Sequence, residues 1–160
     1  AIDDTDLWSL GDDDLARFRN RHIGYVFQFQ SLLPTLTLAD NVALPALLDP
    51  QETAAAIEAR AAALLADMGL AGYLDAYPGE VSAGEQRRAA IARALINRPR
   101  LILADEPTAD LDEETEAEIM AALVRIHRET GATLVLVTHN LALAEAADEV
   151  VQIAGGRVVR

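Results

Sequence analysis

The feature that most restricts the fold of this chain is a run of four apolar residues that ends in two consecutive carboxylates. Residues 101–104 read Leu-Ile-Leu-Ala, and Asp105, Glu106 and Pro107 follow. A short apolar run of this kind is typical of a buried strand in a parallel sheet. The carboxylates then lie at the carboxyl end of the strand, where open α/β sheets bind ligands. One carboxylate could hold a hydrated Mg²⁺ and the other could orient a water, as in the hydrolysis of a nucleoside triphosphate.

Composition excludes several other functional classes. The chain has 160 residues, enough for one domain, and a formal net charge of −13, which argues against binding to nucleic-acid phosphates or to an anionic membrane surface. It has no cysteine, which excludes disulfides, thiolate zinc sites and thiol nucleophiles. No apolar stretch approaches the roughly 20 residues that cross a bilayer, and no signal peptide is recognisable. These features predict a cytoplasmic protein.

The basic residues are all of one kind. All 13 are arginine, and lysine is absent. These 160 residues therefore contain no phosphate-binding loop of the G-x-x-x-x-G-K-[ST] type.

Two further strands are predicted beside the first. Residues 23–28 are rich in β-branched and aromatic side chains and end at Gln28, which by itself is most simply a surface amide. Residues 133–138 form the next buried strand, and His139 follows it. His139 is thereby expected beside the two carboxylates, whereas His22 and His127 have charged neighbours and are predicted to be solvated.

Between these strands, residues 31–77 have a helical character. Pro34, Pro45 and Pro50 are expected to break a leucine-rich run, and an alanine-rich helix is predicted over residues 52–68, ended by Gly69. No strand is evident, so we expect a small helical subdomain inserted into the α/β fold.

A second helix is predicted to begin near residue 82. Ser82 and Glu85 form an S-x-x-E capping box, and Pro99 follows the expected end of the helix. Two interpretations stay open. The motif can simply cap a helix, or its hydroxyl and free amides can bind an anion.

The remaining elements are short or well delimited. A helix is predicted over residues 12–20, and another begins after its cap Asp112 and ends at Gly131. A helix over residues 141–147 and a hairpin of residues 149–153 and 157–159 complete the prediction.

Together these motifs resemble the ATPase subunits of ABC transporters, and in particular the lipoprotein-release, macrolide-export and cell-division branch. The phrases that carry the resemblance, in the expected order over essentially the whole chain, are I-G-Y-V-F-Q, L-L-P-T-L-T, N-V-A-L-P, V-S-A-G-E, A-I-A-R-A-L, L-I-L-A-D-E-P-T-A-D-L-D and V-T-H-N. The resemblance implies an α/β fold with a P-loop NTPase-like parallel sheet and an inserted small helical subdomain, truncated at its N-terminus. It places a partial catalytic core at 1–30, the helical subdomain with the signature motif at 31–98, and the catalytic core with Walker B, D-loop and H-loop at 99–160.

The resemblance also implies roles for individual residues in binding and hydrolysing ATP with Mg²⁺. Gln28 corresponds to the Q-loop glutamine that contacts Mg²⁺ and water, and Asp105 to the Walker B aspartate that binds Mg²⁺ through water. Glu106 corresponds to the carboxylate that polarises the attacking water, and His139 to the switch histidine that contacts the γ-phosphate.

Four consecutive residues correspond to the signature motif, which binds the γ-phosphate of ATP held by the opposite subunit: Ser82, Ala83, Gly84 and Glu85. Asp112 belongs to the D-loop at the dimer interface. Ala83 replaces the usual first glycine of the signature, which we expect to be tolerated or mildly weakening. The Walker A loop and the adenine-stacking aromatic are expected before residue 1, so these residues alone should bind and hydrolyse ATP poorly.

The resemblance finally implies partners and a location. It implies a homodimer of ATPase subunits and a membrane permease that contacts the Q-loop and helical subdomain, with the ATPase peripheral on the inner face of the cell membrane. Nucleic acid is not expected as a partner. The alternative from a different class is a non-catalytic interaction module that lends only its signature motif to a complete subunit.

Overall fold

The computed structural model describes residue 2 and residues 5–28, 31–144 and 147–159. Short 3-10 turns occur at Leu7–Ser9, Ala71–Tyr73 and Pro78–Glu80. The helices and strands of the described ranges are, in chain order, α1 (Asp12–His22), β1 (Ile23–Val26), α2 (Leu38–Leu48), α3 (Ala54–Asp67), α4 (Ala83–Leu95), β2 (Leu101–Asp105), α5 (Glu113–Thr130), β3 (Thr133–Val137), α6 (Leu141–Ala144), β4 (Ile153–Ala154) and β5 (Arg157–Val158). None of these helices combines the length and the apolar character that a membrane span requires.

A three-stranded parallel sheet has β2 at its centre, with β1 and β3 on either side. In the register, Ala104 of β2 lies opposite both Val26 and Leu136. The predicted α/β fold with a central strand at residues 101–105 is confirmed. All three strands run the same way, so their carboxyl ends form one edge of the sheet.

Both outer strands end earlier than predicted. β1 stops at Val26 because the carbonyl oxygens of Phe27 and Gln28 accept hydrogen bonds from the side chain of Arg87. β3 stops at Val137, and the next hydroxyl, that of Thr138, accepts the backbone N–H of Asn140 in a local turn.

The two faces of the sheet have different environments. On one face Val26, Ile102 and Ala104 are buried in the hydrophobic core. Gly24 permits this packing, because a Cβ there would lie 2.4 Å from the carbonyl oxygen of Ala94 in α4. On the other face several apolar side chains are exposed among the described residues: Tyr25, Phe27, Val135 and Val137. The rings of Tyr25 and Phe27 stack on each other with centroids 5.1 Å apart.

The helices α2, α3 and α4 pack together and share one continuous core with the buried face of the sheet. The helical character of residues 31–77 is confirmed, but the prediction that Pro45 breaks the chain is wrong, since Pro45 lies inside α2. The helix continues because Thr37 caps its N-terminus and its buried residues anchor it to the core. The predicted division at residues 30 and 98 stays a prediction.

The helix α5 follows the predicted limits. The Asp112 carboxylate accepts the Thr115 N–H at its start, and Gly131 ends it with a φ of 69°. Its predicted inward residues are buried: Ile119, Leu123 and Ile126. Of the predicted helix 141–147, residues 141–144 form α6, and residues 145 and 146 lie outside the described residues. The C-terminal hairpin is present with shorter strands.

His22 and His127, which were predicted to be solvated, are only partly exposed. The His22 ring lies against Phe18, with centroids 4.4 Å apart. The Nδ1 of His127 lies 2.8 Å from the Ala132 carbonyl oxygen, just beyond the end of α5. Their charged sequence neighbours therefore did not indicate the surroundings of the two rings.

Candidate functional site

The carboxyl ends of β2 and β3 bring Glu106 and His139 into direct contact. The Nδ1 of His139 lies 2.7 Å from Glu106 Oε1, and the backbone N–H of His139 donates to the same oxygen at 3.0 Å. The backbone N–H of Glu106 in turn donates to the Val137 carbonyl at 2.9 Å. These bonds hold Glu106 in a left-handed conformation, with a φ of 43°, that a non-glycine residue adopts only when its surroundings favour it.

This contact raises the pKa of His139 above the ordinary value of imidazole. The main cause is the hydrogen bond to the Glu106 carboxylate, followed by the charge of Glu106 and then that of Glu116. A raised pKa means that protonation of His139 favours the folded arrangement. That stabilisation is present at pH values below the ordinary pKa and is lost as the pH rises through the raised value.

We expect the NMR titration of the His139 ring to show this raised pKa in the 160-residue chain. In Glu106→Gln the pKa should fall back toward the ordinary range, because an amide carries no charge to stabilise imidazolium. The signals of His22 and His127 supply the internal control, since neither ring contacts Glu106 and neither should respond to the substitution. An unchanged titration of His139 in Glu106→Gln would contradict the contact.

Asp105 is the last residue of β2 and Gln28 lies two residues after β1, so both are at the same edge of the sheet. Their side chains have no hydrogen-bond partner within the described part of the chain, so a carboxylate and an amide are free to bind a ligand. Mg²⁺ prefers such oxygen donors and completes its shell with water and phosphate oxygens. Among the described residues no group of three or more His, Cys, Asp or Glu could hold a metal by itself. The donors therefore fit Mg²⁺ only in company with a phosphate.

The N-terminus of α4 forms the predicted capping box. The backbone N–H of Ser82 and its hydroxyl donate to Glu85 Oε2 at 2.7 and 2.8 Å, and the Glu85 N–H donates to Ser82 Oγ at 3.2 Å. These bonds from Ser82 lower the pKa of Glu85. The capping interpretation is confirmed, and anion binding by the same groups stays a prediction.

The first turns of α4 and α5 are packed against each other. A Cβ on Gly84 would lie 2.8 Å from Thr115 Cγ2, so a larger residue would require the Thr115 side chain or the helix to shift. Asp112 accepts hydrogen bonds from the backbone N–H and the hydroxyl of Thr115, at 3.0 and 2.8 Å, which lower its pKa. Asp112 is thus a helix cap, and its place at a dimer interface stays a prediction. Ala83 is exposed in the first turn of α4.

A cleft of about 430 Å³ lies between the end of β1, the start of α4 and the loop after β2. Gln28 and Ala83 both line it, together with Ala109, Asp110 and Leu111. The predicted site residues therefore form two groups. Glu106 touches His139, and Gln28 shares a cleft with the start of α4 and the loop that precedes Asp112.

Two arginines of α4 were not singled out from the sequence. Arg87 donates to the carbonyl oxygens of Phe27 and Gln28, and Arg93 donates to the carbonyl and hydroxyl oxygens of Ser31. In the sequence Arg93 lies between two alanines of α4, whereas Arg87 lies between Gln86 and Arg88 and gives no such signal. On such a helix a long polar side chain that is partly buried must have acceptors.

Comparison with known proteins identifies the chain's relatives. Residues 2–109 match the family model described as ABC transporter. The lipoprotein-releasing system ATP-binding protein LolD of Geobacter metallireducens is 50% identical over 155 residues, which cover 96% of this chain and 68% of LolD. The macrolide export ATP-binding/permease protein MacB of Rhodopirellula baltica is 49% identical over 155 residues, which cover 96% of this chain and 22% of MacB.

A solved structure shows the same fold. The ATP-binding cassette MJ0796, in a dimeric post-hydrolysis state bound to ADP and Pi, superposes with a TM-score of 0.89 at 37% sequence identity. The alignment covers 99% of this chain and 70% of MJ0796.

Proposed function

This chain belongs to the ABC transporter family, and we propose that it forms part of an ATP-hydrolysing motor that drives a membrane permease of the export or lipoprotein-release type. The observation that supports hydrolysis most directly is the contact between Glu106 and His139 at the edge of the sheet. Glu106 accepts a proton from the attacking water or polarises it, and His139 orients that carboxylate and faces the γ-phosphate.

The other site residues are assigned to the binding of Mg²⁺ and ATP. Asp105 and Gln28 would hold the Mg²⁺, which would supply neutralisation of charge on the phosphates. The helix N-terminus at Ser82, Ala83, Gly84 and Glu85 supplies a hydroxyl and backbone amides to the γ-phosphate of ATP held by a second copy. The dimeric state of MJ0796 and its bound ADP and Pi support this arrangement.

The permease is proposed from the named relatives. LolD belongs to a lipoprotein-releasing system, and MacB joins an ATP-binding protein and a permease in one chain. We assign the permease contact to the region of Gln28 and residues 32–45, with the chain held at the inner face of the membrane through that contact. The alternative of a non-catalytic module is disfavoured, since such a module would have no use for the Glu106–His139 pair.

The test compares two proteins. One is the 160-residue chain, and the other is the same chain preceded by the Walker A segment of a relative, called here the extended protein. We expect calorimetry with Mg²⁺ and ATP to give a dissociation constant at least about tenfold lower for the extended protein, because P-loop amides and a lysine make most phosphate contacts. Only the extended protein should release phosphate at a measurable rate.

Two outcomes would contradict the proposal. An extended protein that is folded and binds ATP but does not hydrolyse it would exclude the motor. Equal ATP affinity of the two proteins would show that the 160 residues contain a phosphate site that we have not assigned. An extended protein whose Walker A lysine is replaced by alanine is the matched control, and it should behave like the 160-residue chain.

A further inference from the structure

The strongest unexplained feature is the pair of α4 arginines that bind the chain on both sides of residues 29–30. We propose that Arg87 is a positioning residue for Gln28, with Arg93 as a second anchor, so that Gln28 moves together with α4. The inference rests on the proposed function, because that function assigns Gln28 a role in ATP hydrolysis.

The guanidinium of Arg87 binds two successive peptide groups. Nη1 donates to the Phe27 carbonyl oxygen at 2.5 Å and Nη2 to the Gln28 carbonyl oxygen at 2.7 Å. The planar fork of arginine holds both acceptors at once, whereas a lysine ammonium lacks this fixed geometry. The peptide that carries the Gln28 side chain is therefore held in place at its own carbonyl and at the carbonyl before it.

Arg93 makes a similar contact further along the chain. Its Nη1 donates to the Ser31 carbonyl at 2.6 Å, and its Nη2 donates to the Ser31 hydroxyl at 2.5 Å. Arg93 lies six residues after Arg87, which is about 9 Å along the helix axis. Gln28 and Ser31 are thus bound at two separate points of one rigid helix.

Neither arginine forms an ion pair within the described residues. Burial lowers the pKa of both, and for Arg87 the charge of Asp110 acts in the opposite direction. Partial burial of a cation costs free energy, and here only carbonyl and hydroxyl oxygens offset that cost. The geometry that it imposes on the backbone explains its presence better than packing does.

The consequence concerns the N-terminal part of α4. The first turn of the helix carries Ser82 and Gly84, which we assign to the ATP of a second copy, and the same helix holds Gln28 of its own site through Arg87.

A double-mutant cycle in the extended protein tests this coupling, with variants Arg87→Ala, Gln28→Ala and both together. We expect Arg87→Ala to lower kcat about tenfold and to change KM less than about twofold. In the Gln28→Ala background, the same substitution should lower kcat by less than a further factor of about two. Losses that multiply in the double variant would overturn the proposal, because they would show that Arg87 acts independently of Gln28. Arg87→Lys should recover only part of the loss.

Two controls separate positioning from general stability. Arg125→Ala removes an exposed arginine of α5 that pairs with Glu129, and it should leave kcat unchanged. Thermal unfolding of each variant shows whether the loss of activity simply follows a loss of folded protein.

A second measurement needs no ATP and uses the 160-residue chain. We expect the backbone NMR order parameter of Gln28 to fall from the rigid range near 0.85 to below about 0.6 in Arg87→Ala, with the values in α5 unchanged. An unchanged order parameter would overturn the positioning role. If the extended protein with its natural Arg87 does not hydrolyse ATP, the proposed function fails, and this measurement still decides whether Arg87 holds Gln28.

Discussion

Replacing Glu106 with glutamine should lower ATP hydrolysis by the extended protein at least about a hundredfold. The amide keeps the size of the side chain and an oxygen that accepts from His139, so the local structure should be retained. It cannot accept a proton from water, and it carries no charge to polarise one. Steady-state and single-turnover phosphate release measure the effect, and the ATP dissociation constant should change less than about threefold.

The matched control is Glu129→Gln. Glu129 is an exposed carboxylate near the end of α5 whose recorded partner is Arg125, and its loss should not affect phosphate release. If Glu106→Gln retained more than about a tenth of the activity, the proton acceptor would have to be sought elsewhere. Asp105 would then be the first residue to examine, because it is adjacent and its carboxylate has no partner in the described chain.

Replacing Asn41 with alanine should lower the free energy of unfolding by about 3 kcal/mol. Asn41 is fully buried, and its side-chain oxygen accepts the Leu33 N–H at 2.7 Å. Its amide nitrogen donates to three carbonyl oxygens at 2.9–3.1 Å, those of Leu33, Leu36 and Thr37. Truncation leaves the Leu33 N–H and the Leu36 carbonyl without a partner, and each such group costs about 1–3 kcal/mol, whereas the Leu33 and Thr37 carbonyls still accept backbone N–H groups.

Urea unfolding of the 160-residue chain, followed by circular dichroism, measures this loss. Asn97→Ala is the comparison, because Asn97 is only half-buried and donates mainly to the Asn20 carbonyl at 2.9 Å. It should cost about 1 kcal/mol. Equal losses in the two variants would mean that water forms hydrogen bonds with the backbone groups of residues 33–37 as well as the Asn41 side chain does.

The parts of the fold that were predictable carry their own local signals. The capping box of Ser82 and Glu85, the cap at Asp112 and the stop at Gly131 involve residues at most a few positions apart, and each has a specific physical effect on a helix end. Pro45 shows where such reasoning fails. Proline weakens a helix locally, but burial of its neighbours in the core outweighs that cost and the helix continues.

The strands that carry the site residues were predictable from the sequence, whereas the side-chain contacts that hold those residues in place were not. Strand order and direction were sufficient to place His139 beside Glu106, because neighbouring parallel strands end at one edge. The acceptors of Arg87 lie about sixty residues away in sequence, at Phe27 and Gln28, and no periodicity or spacing reports such a contact. The surroundings of His127 were missed for a different reason, since its partner Ala132 is only five residues away but lies beyond the end of α5, where helical periodicity no longer applies.

The uncovered face of the sheet determines how this chain behaves in concentrated solution. Phe27 and Val137 are 46% and 55% exposed there, and the outer strands β1 and β3 each have an edge without a neighbouring strand among the described residues. Apolar faces and free strand edges favour association between molecules. What opposes association is mutual repulsion from a net charge of −13, which weakens as the pH approaches the isoelectric point near 4.5 or as salt is added. We therefore expect the solubility of this chain to fall when salt is added or when the pH approaches 4.5.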